Sequence, residues 1–263
     1  MTAIRIAIHG AGGRMGRRLV ALTVADPELK LAAALESPAH PELGEDAGQL
    51  AAVGRLGIPL SATLTAEVDA LIDFSLPEAT EAVLQTCLDG RIPLVFATTG
   101  LSDEREAKLT AAAEVIPVLR SPNMSMAVNL TMKLAAVAAR ALKDQDADVE
   151  ILERHHRFKE DAPSGTALKF GQIISGLMGQ ASHRHGRQGR IGARPHGEIG
   201  YHAIRAGDDA GGHTIVFAML GEAIELSVRA TSRDCYALGA LAAAKFLAGK
   251  QPGLYGMEDV LGI

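Results

Sequence analysis

The sequence lacks several features that mark particular classes of protein. It has no tryptophan and only two cysteines, Cys87 and Cys235, which lie far apart without CxxC spacing, so neither a disulfide framework nor a structural zinc site is expected. The net charge of -5 and the pI near 6.0 argue against a nucleic acid or an anionic membrane as partner. No apolar run approaches the roughly 18 residues of a membrane span. The N-terminus enters a strand pattern without a signal peptide, which favours a cytoplasmic location.

The chain of 263 residues, 48% of them hydrophobic, is long enough for two modest domains or one large one. In its first half, short apolar runs alternate with amphipathic runs, and this order predicts βαβ units around a mostly parallel sheet. Strands are expected at residues 4–8, 29–35, 68–74, 93–97 and 116–119, and helices at 14–25, 78–88, 103–114, 126–142 and 232–248.

The second half has a different pattern. Three closely spaced apolar runs at 199–206, 213–220 and 223–229 predict an antiparallel meander. Segment 182–197 is rich in glycine, arginine and histidine and has no periodicity, so we expect a long mobile loop there. Such a loop is either a plain solvated connection or a cover for a bound anion or a neighbouring subunit.

A glycine-rich turn follows the first expected strand. Residues 10–16 read GAGGRMG and lead into a helix, and glycine at such a turn allows positive φ and a close approach of backbone amides to a pyrophosphate. Met15 stands where GxGxxG wants a small residue, so Gly10, Gly13 and Gly16 fit the pattern better. Alone, the turn is also compatible with a tight strand-to-helix connection that binds nothing.

Further polar positions favour a dinucleotide site. Glu36 ends the second strand at about the 20-residue distance where a carboxylate accepts hydrogen bonds from the adenosine ribose, although an exposed strand-end acid would occupy the same place. Segments 96–100 and 121–125 each follow an expected strand and carry small polar residues to the edge of the sheet where ligands of open α/β sheets bind. Each segment is also compatible with the capped N-terminus of a helix.

Residues 153–167, ERHHRFKEDAPSGTA, are the most informative part of the chain. An alternating strand pattern precedes them and a helical pattern follows, so the segment is a strand end, a short loop and a helix start. Ser164 is a good N-cap, and the backbone amides of Gly165 and Thr166 would face a carboxylate or phosphate at the helix N-terminus. The segment therefore combines proton donors with an anion site.

These segments together resemble one family, dihydrodipicolinate reductase, also called 4-hydroxy-tetrahydrodipicolinate reductase. The resemblance spans nearly the whole chain, and its HHxxKxDxPSGT string is highly specific. The shared strings are GAGGRMG at 10–16, IDF at 72–74, TTG at 98–100, EILERHHRFKEDAPSGTA at 150–167, RAGD at 205–208, GGHT at 211–214 and DVLG at 259–262.

The resemblance implies that NADH or NADPH delivers hydride to a cyclic unsaturated imine dicarboxylate and gives tetrahydrodipicolinate, in diaminopimelate and lysine biosynthesis. It also implies that His155 supplies the proton and that Lys159 is a second donor. A histidine with a pKa near its usual value of about 6.5 suits protonation of an electron-rich carbon at neutral pH. The expected substrate-binding residues are His156, Ser164, Gly165 and Thr166.

The leading interpretation is an α/β protein with a Rossmann-type dinucleotide-binding domain and a mixed α+β domain with an open sheet. The first comprises residues 1–125 and 236–263; the second comprises residues 126–235 and serves substrate binding and oligomerisation. The resemblance adds a homotetramer, and no metal is required. The expected cofactor-binding residues are Gly10, Ala11, Gly12, Gly13, Arg14, Met15, Glu36, Ala97, Thr98, Thr99, Ser121, Pro122, Asn123 and Met124.

Each feature has an alternative interpretation. Adjacent histidines sometimes bind metal, but neighbouring side chains on a strand diverge and no third ligand follows at i+4. Lys159 is compatible with a surface lysine, Asp161 with a turn residue or counter-ion, His213 with a structural role and Arg205 with a strand-end charge. A reductase or dehydrogenase acting on another small acid and a nucleotide-sensing protein without chemistry remain the alternative functions.

Two positions depart from the family pattern. Ala97 stands where glycine usually precedes Thr-Thr, and one added methyl group should not prevent cofactor binding. Ser37 stands where many members have arginine, which would be available to an adenosine 2′-phosphate. Since Glu36 repels a phosphate, NADH is expected to be used at least as well as NADPH unless Arg14 or Arg17 compensates.

Overall fold

The computed structural model describes residues 2–263. The strands are β1 Ile4–His9, β2 Leu29–Leu35, β3 Leu60–Ser61, β4 Ala70–Asp73, β5 Leu94–Phe96, β6 Pro117–Arg120, β7 Asp148–His155, β8 Ser182–His185, β9 Glu198–Arg205, β10 Gly212–Met219, β11 Glu222–Arg229 and β12 Gly253–Tyr255. The helices are α1 Arg14–Ala25, α2 Ala47–Leu50, α3 Thr80–Gly90, α4 Asp103–Ala112, α5 Met126–Leu142, α6 Gly165–Met178, α7 Asp234–Leu247 and α8 Met257–Leu261.

The chain forms two compact units. The first unit is Met1–Met126 together with Asp234–Ile263, and the second unit is Ala127–Arg233. Within residues 2–263 no helix is long and apolar enough to cross a membrane.

The first unit contains a seven-stranded sheet in the order β12-β6-β5-β4-β1-β2-β3, with every adjacent pair parallel. The parallel sheet expected from the alternating pattern is confirmed. The strand order reverses between β1 and β4, and at such a switch point open α/β sheets bind their ligands. Strands β3 and β12 were not predicted, because two or three residues carry too little periodicity.

Both faces of this sheet are covered, which explains why its strands are almost continuously apolar. Ile6 and Ile8 belong to the core on one face and Ala7 to the core on the other, as expected for side chains that alternate along a strand. Helix α1 lies very close to the turn before it. A Cβ at Gly16 would be 2.0 Å from the carbonyl oxygen of Gly10, so only glycine fits there.

The second unit contains a five-stranded sheet in the order β11-β10-β7-β9-β8. The predicted antiparallel meander is wrong in one respect. Strands β10 and β11 do form an antiparallel hairpin, but β7 separates β9 from β10 and pairs parallel to β9. The connection from β9 to β10 passes over the end of β7, where the amide of His156 donates to the carbonyl oxygen of Asp209 at 2.8 Å and that of Ala206 to His155 at 3.0 Å.

Segment 182–197 is also more structured than expected. It begins with strand β8, which pairs with β9. Two of its arginines bind carboxylates of the sheet. Arg187 lies 2.7 Å from Glu150, and Arg194 lies 3.0 Å from the same carboxylate and 2.5 Å from Asp148. The loop was predicted because this segment has no apolar periodicity. Ion pairs with the sheet hold the segment instead of an apolar face.

Candidate functional site

The segment of residues 153–167 forms the end of β7, a loop and the first turn of α6. The hydroxyl of Ser164 accepts a hydrogen bond from the amide of Ala167 at 3.2 Å, so Ser164 is the N-cap. The amides of Gly165 and Thr166 lie in the first turn, where the helix favours an anion. A Cβ at Gly165 would meet no heavy atom within 4 Å, so the space beside its amide is open.

His155 is held by Glu153, which lies two positions earlier on the same face of β7. The Nδ1 atom of His155 lies 2.6 Å from Oε2 of Glu153. Because a carboxylate can only accept, Nδ1 carries the proton of this bond, and Nε2 is left for another partner. Gly211 allows this position, since a Cβ there would be 2.8 Å from Nε2 of His155.

Glu153 is a buried carboxylate that joins the strand to the helix start. Its side chain is fully buried, and Arg205 donates two hydrogen bonds to it, at 2.7 and 2.8 Å. The amide of Ser164 donates a third at 3.1 Å. Burial acts to raise the pKa of Glu153, but the hydrogen bonds from Arg205 and His155 outweigh burial and lower that pKa. Glu153 is therefore held as a carboxylate.

The charge state of His155 depends on opposing effects. Burial of the ring lowers its pKa, whereas the carboxylate of Glu153 stabilises the imidazolium and opposes that shift. The positive charges of Lys159 and Arg205 lower the pKa of His155 further. The net shift is downward, so this histidine releases its proton more readily than a free one does.

His213 supports the same arrangement from β10. The residue is 7% exposed, its Nε2 atom lies 2.9 Å from the hydroxyl of Ser164, and its ring meets the ring of His155 edge-on with centroids 5.4 Å apart. Burial, followed by the charge of His155, lowers the pKa of His213 to about 4. His213 is therefore a neutral residue at physiological pH that positions the helix cap.

Lys159 and His156 lie in the loop that follows β7. The ammonium of Lys159 donates to Asp161 at 2.7 Å, and this bond lowers the pKa of Asp161. A guanidinium nitrogen of Arg233 lies 3.4 Å from Nε2 of His156. The Nδ1 atom of His156 is buried and has no hydrogen-bond partner among residues 2–263. Within the same residues there is no group of three or more side chains that could hold a metal ion.

In the first unit, the glycine turn forms a cradle with no room for side chains. Gly10 has φ of +78°, and a Cβ there would lie 2.6 Å from the carbonyl oxygen of Phe74. A Cβ at Gly12 would lie 2.7 Å from the imidazole of His40. The amide of Gly12 donates to Glu36 at 3.1 Å, which brings the strand-end carboxylate against the turn. These residues fit a dinucleotide bound through its phosphates and ribose.

A cavity of about 580 Å³ adjoins this turn. Glu36 and the exposed Ser37 both line it, so the two positions that bear on cofactor preference face one space. Arg17 already binds the carbonyl oxygen of Gly12 at 2.8 Å and Glu42 at 2.5 Å, whereas Arg14 is exposed. The cavity is lined by His9, Gly10, Gly13, Glu36, Ser37, Pro38, His40, Ala62, Phe74, Ser75, Leu76, Glu78, Ala79 and Ala82.

The other predicted cofactor residues lie in the loops that follow β1, β5 and β6, except Met15, which lies in the first turn of α1. The hydroxyl of Thr98 donates to the buried Asp73 at 2.7 Å, and the hydroxyl of Ser121 donates to the carbonyl oxygen of Asn123 at 2.7 Å. The remaining residues differ in exposure: Ala11, Ala97 and Met124 are buried, Met15 is half-buried, and Gly13, Thr99 and Pro122 are exposed.

The contacts of Glu153, Arg205 and His213 around His155 were not predicted from the sequence. One signal was available for Glu153, because residues two apart on a strand share a face. No local signal marked Arg205, which lies 52 residues along the chain from Glu153 and reaches it only because β7 and β9 are neighbours.

Comparison with known proteins gives a consistent result over the full length. The sequence profile "Dihydrodipicolinate reductase, N-terminus" matches residues 4–124, and "Dihydrodipicolinate reductase, C-terminus" matches residues 127–261. The chain is 56% identical to the 4-hydroxy-tetrahydrodipicolinate reductase of Rhodopirellula baltica, covering 99% of this chain and 96% of that protein. It is 49% identical to the enzyme of the same name from Alkalilimnicola ehrlichii, covering 98% and 99% of the two chains.

A solved structure is similar as well. The dipicolinate-bound dihydrodipicolinate reductase from Paenisporosarcina sp. TG-14 superimposes with a TM-score of 0.78 and 27% sequence identity, covering 98% of this chain and 99% of that one. A probable dehydrogenase from Thermotoga maritima, with a TM-score of 0.59 and 13% identity, shares the fold alone.

Proposed function

This chain belongs to the dihydrodipicolinate reductase family and is an NAD(P)H-dependent reductase, and we propose that it reduces 4-hydroxy-tetrahydrodipicolinate to tetrahydrodipicolinate with His155 as the proton donor. The observation that carries this assignment is the bond between Nδ1 of His155 and the buried Glu153 at 2.6 Å, beside the open N-terminus of α6. This arrangement combines an oriented proton donor with a binding site for a substrate carboxylate. The reaction belongs to diaminopimelate and lysine biosynthesis.

The glycine cradle of the first unit holds the cofactor. Backbone amides at the start of α1 would meet the pyrophosphate, and Glu36 would accept from the adenosine ribose hydroxyls. Bound NADH or NADPH supplies the hydride. Thr98, Thr99 and the loop from Ser121 to Met124 would line the remainder of the dinucleotide site.

His155 protonates the substrate carbon that becomes electron-rich during the reduction. The bond from Nδ1 to Glu153 fixes the tautomer and the ring orientation, so the proton leaves from Nε2. Glu153 also stabilises the imidazolium before transfer, and Arg205 keeps that carboxylate ionised. The ammonium of Lys159 stabilises negative charge that develops on the substrate and is a second proton donor.

The start of α6 binds the substrate carboxylates. The amides of Gly165 and Thr166 donate to one carboxylate, and the unpartnered Nδ1 atom of His156 offers a further contact. Ser164 contributes as the cap that orders this turn, since its hydroxyl already binds the amide of Ala167 and His213. A dicarboxylate ligand agrees with the dipicolinate bound in the Paenisporosarcina relative.

We further propose that the protein acts in the cytoplasm as a homotetramer assembled through the sheet of the second unit. Strand β11 presents an exposed face at one edge of that sheet, and this supports a role in association. Size-exclusion chromatography with light scattering would measure the mass directly.

The activity is tested by a coupled assay in which the substrate, 4-hydroxy-tetrahydrodipicolinate, is formed freshly, run separately with NADH and NADPH. We expect oxidation of both cofactors by the wild-type protein and a loss of about two or more orders of magnitude in turnover for His155→Ala, with little change in cofactor affinity. His196→Ala, at an exposed histidine of the same unit, is the matched control. Unchanged turnover of folded His155→Ala would contradict the assignment.

A further inference from the structure

We propose that His9 binds the adenosine half of the dinucleotide through its Nε2 atom; the inference rests on the cofactor use proposed above. His9 is the last residue of β1, and Asp73 is the last residue of β4. The two strands flank the switch point of the sheet, and His9 and Asp73 are register partners across it. The His9 side chain therefore lies at the edge of the sheet where ligands of this fold bind.

Asp73 fixes the orientation of the His9 ring. The Nδ1 atom of His9 lies 2.8 Å from Oδ1 of Asp73, whose side chain is fully buried. The second carboxylate oxygen accepts the hydroxyl of Thr98 at 2.7 Å. Since the carboxylate can only accept, Nδ1 of His9 carries the proton of this bond, and in the tautomer with its proton on Nδ1 the Nε2 atom is an acceptor.

The Nε2 atom of His9 is available to a ligand. It has no hydrogen bond to any group within residues 2–263, and it is not among the buried unpartnered atoms. The side chain is 15% exposed, and it lines the cavity of about 580 Å³ that Glu36 and Ser37 also line. The ring therefore borders the space beside the glycine turn, and it also lines a second cavity of about 500 Å³ together with Thr63, Leu64 and Thr86.

The chemistry of this cavity matches an adenosine. The ribose hydroxyls and the exocyclic amino group of adenine are donors, and Glu36 and Nε2 of His9 are acceptors in the same cavity. Neither acceptor attracts a 2′-phosphate. His9 therefore adds an acceptor to the position where Glu36 and Ser37 already favour an unphosphorylated ribose.

The His9→Asn variant tests ligand binding by Nε2 separately from the hydrogen bond that His9 makes to Asp73. The asparagine amide can still donate to Asp73, but it places no nitrogen at the position of Nε2. We expect the Kd of ADP-ribose, measured by calorimetry, and the KM for NADH to rise about five- to tenfold, as for loss of one hydrogen bond, while the KM for the dicarboxylate stays the same. Thr86→Val is the control, because Thr86 lines the second cavity that His9 borders and not the one beside the glycine turn.

A second measurement requires no variant. In protein labelled with [¹⁵N]histidine, the Nε2 resonance of His9, assigned by its absence in His9→Gln, should shift when ADP-ribose is added and stay in place when nicotinamide mononucleotide is added. An unmoved resonance with saturating ADP-ribose, or wild-type affinity in folded His9→Asn, would overturn the role of His9. Failure of the wild-type protein to bind either NADH or ADP-ribose would instead overturn the cofactor use itself, and the inference with it.

Discussion

The Nδ1 atom of His155 lies 2.6 Å from Oε2 of Glu153, two residues earlier on the same strand, and Arg205 from the neighbouring strand holds that carboxylate with two hydrogen bonds. Glu153 acts on His155 in two ways. It fixes the ring, and it stabilises the protonated form that donates to substrate. A change at Glu153 should therefore alter the pH dependence as well as the rate.

Glu153→Gln should lower turnover by roughly tenfold or more, a part of the 100- to 10,000-fold that general acid catalysis supplies. Without the carboxylate, the pKa of His155 falls further, and the alkaline limb of the turnover profile should move to lower pH. The measurement is kcat against pH, with thermal unfolding to confirm that the variant is folded. Glu160→Gln, the same change at an exposed position in the loop, is the control. A lowered rate with an unmoved alkaline limb would show that Glu153 has only a structural role.

Gly165→Leu should raise the KM for the dicarboxylate by about tenfold or more, because the side chain would fill the space beside the amide proposed to bind a carboxylate. A Cβ at Gly165 meets no heavy atom within 4 Å, so the substitution begins in open space. Gly176→Leu is a matched control in the same helix, since a Cβ at Gly176 also meets nothing within 4 Å. Steady-state kinetics and competition by pyridine-2,6-dicarboxylate would measure the effect. Equal KM values in the two variants would place the carboxylate elsewhere.

Ser37→Arg should shift cofactor preference toward NADPH by about tenfold, because a guanidinium beside a 2′-phosphate gains charge-assisted hydrogen bonds. The wild-type protein should use NADH at least as well as NADPH, since Glu36 and Ser37 line one cavity and, within residues 2–263, no lysine or arginine lines it. The ratio of kcat/KM for the two cofactors is the measurement, and Ala39→Arg, at an exposed position nearby, is the control. Wild-type protein that strongly prefers NADPH would contradict this interpretation of Glu36 and Ser37, and Arg14 or Arg17 would then have to supply the phosphate site.

His213 should make stability depend on pH in the acid range. Burial lowers its pKa to about 4 in the folded protein, while its ordinary value is 6.5. Between those values the unfolded chain binds more protons, so stability is fully present above pH 6.5 and is lost as pH falls toward 4. The loss should reach roughly 3 kcal/mol at about 1.4 kcal/mol per pKa unit.

Urea denaturation at several pH values between 4 and 7 would test the His213 prediction. The free energy of unfolding of His213→Gln should depend less on pH than that of the wild-type protein. His196→Gln removes an exposed histidine and should leave the wild-type dependence in place. If the free energies of unfolding of His213→Gln and of the wild-type protein change with pH in the same way, a buried neutral His213 would be contradicted.

Local sequence predicted much of the fold. Apolar runs gave the strands of the parallel sheet and the long helices, because burial on both faces of a sheet or on one face of a helix leaves a pattern within a few residues. Helix α5, expected at 126–142, spans Met126–Leu142 in the structure. The motif around His155 and Ser164 was likewise visible, since its strand end, proton donors and cap are consecutive in the chain.

The sequence by itself therefore determined the family, the parallel sheet and the residues of the glycine turn and of the His155 segment; their individual roles stay predictions. Only the tertiary structure decided that β7 lies between β9 and β10, that Arg205 binds Glu153, and that His9 is paired with Asp73. The last two contacts join residues 52 and 64 positions apart. Strand neighbours depend on which distant segments bury each other best, and periodicity within one segment carries no information about that choice.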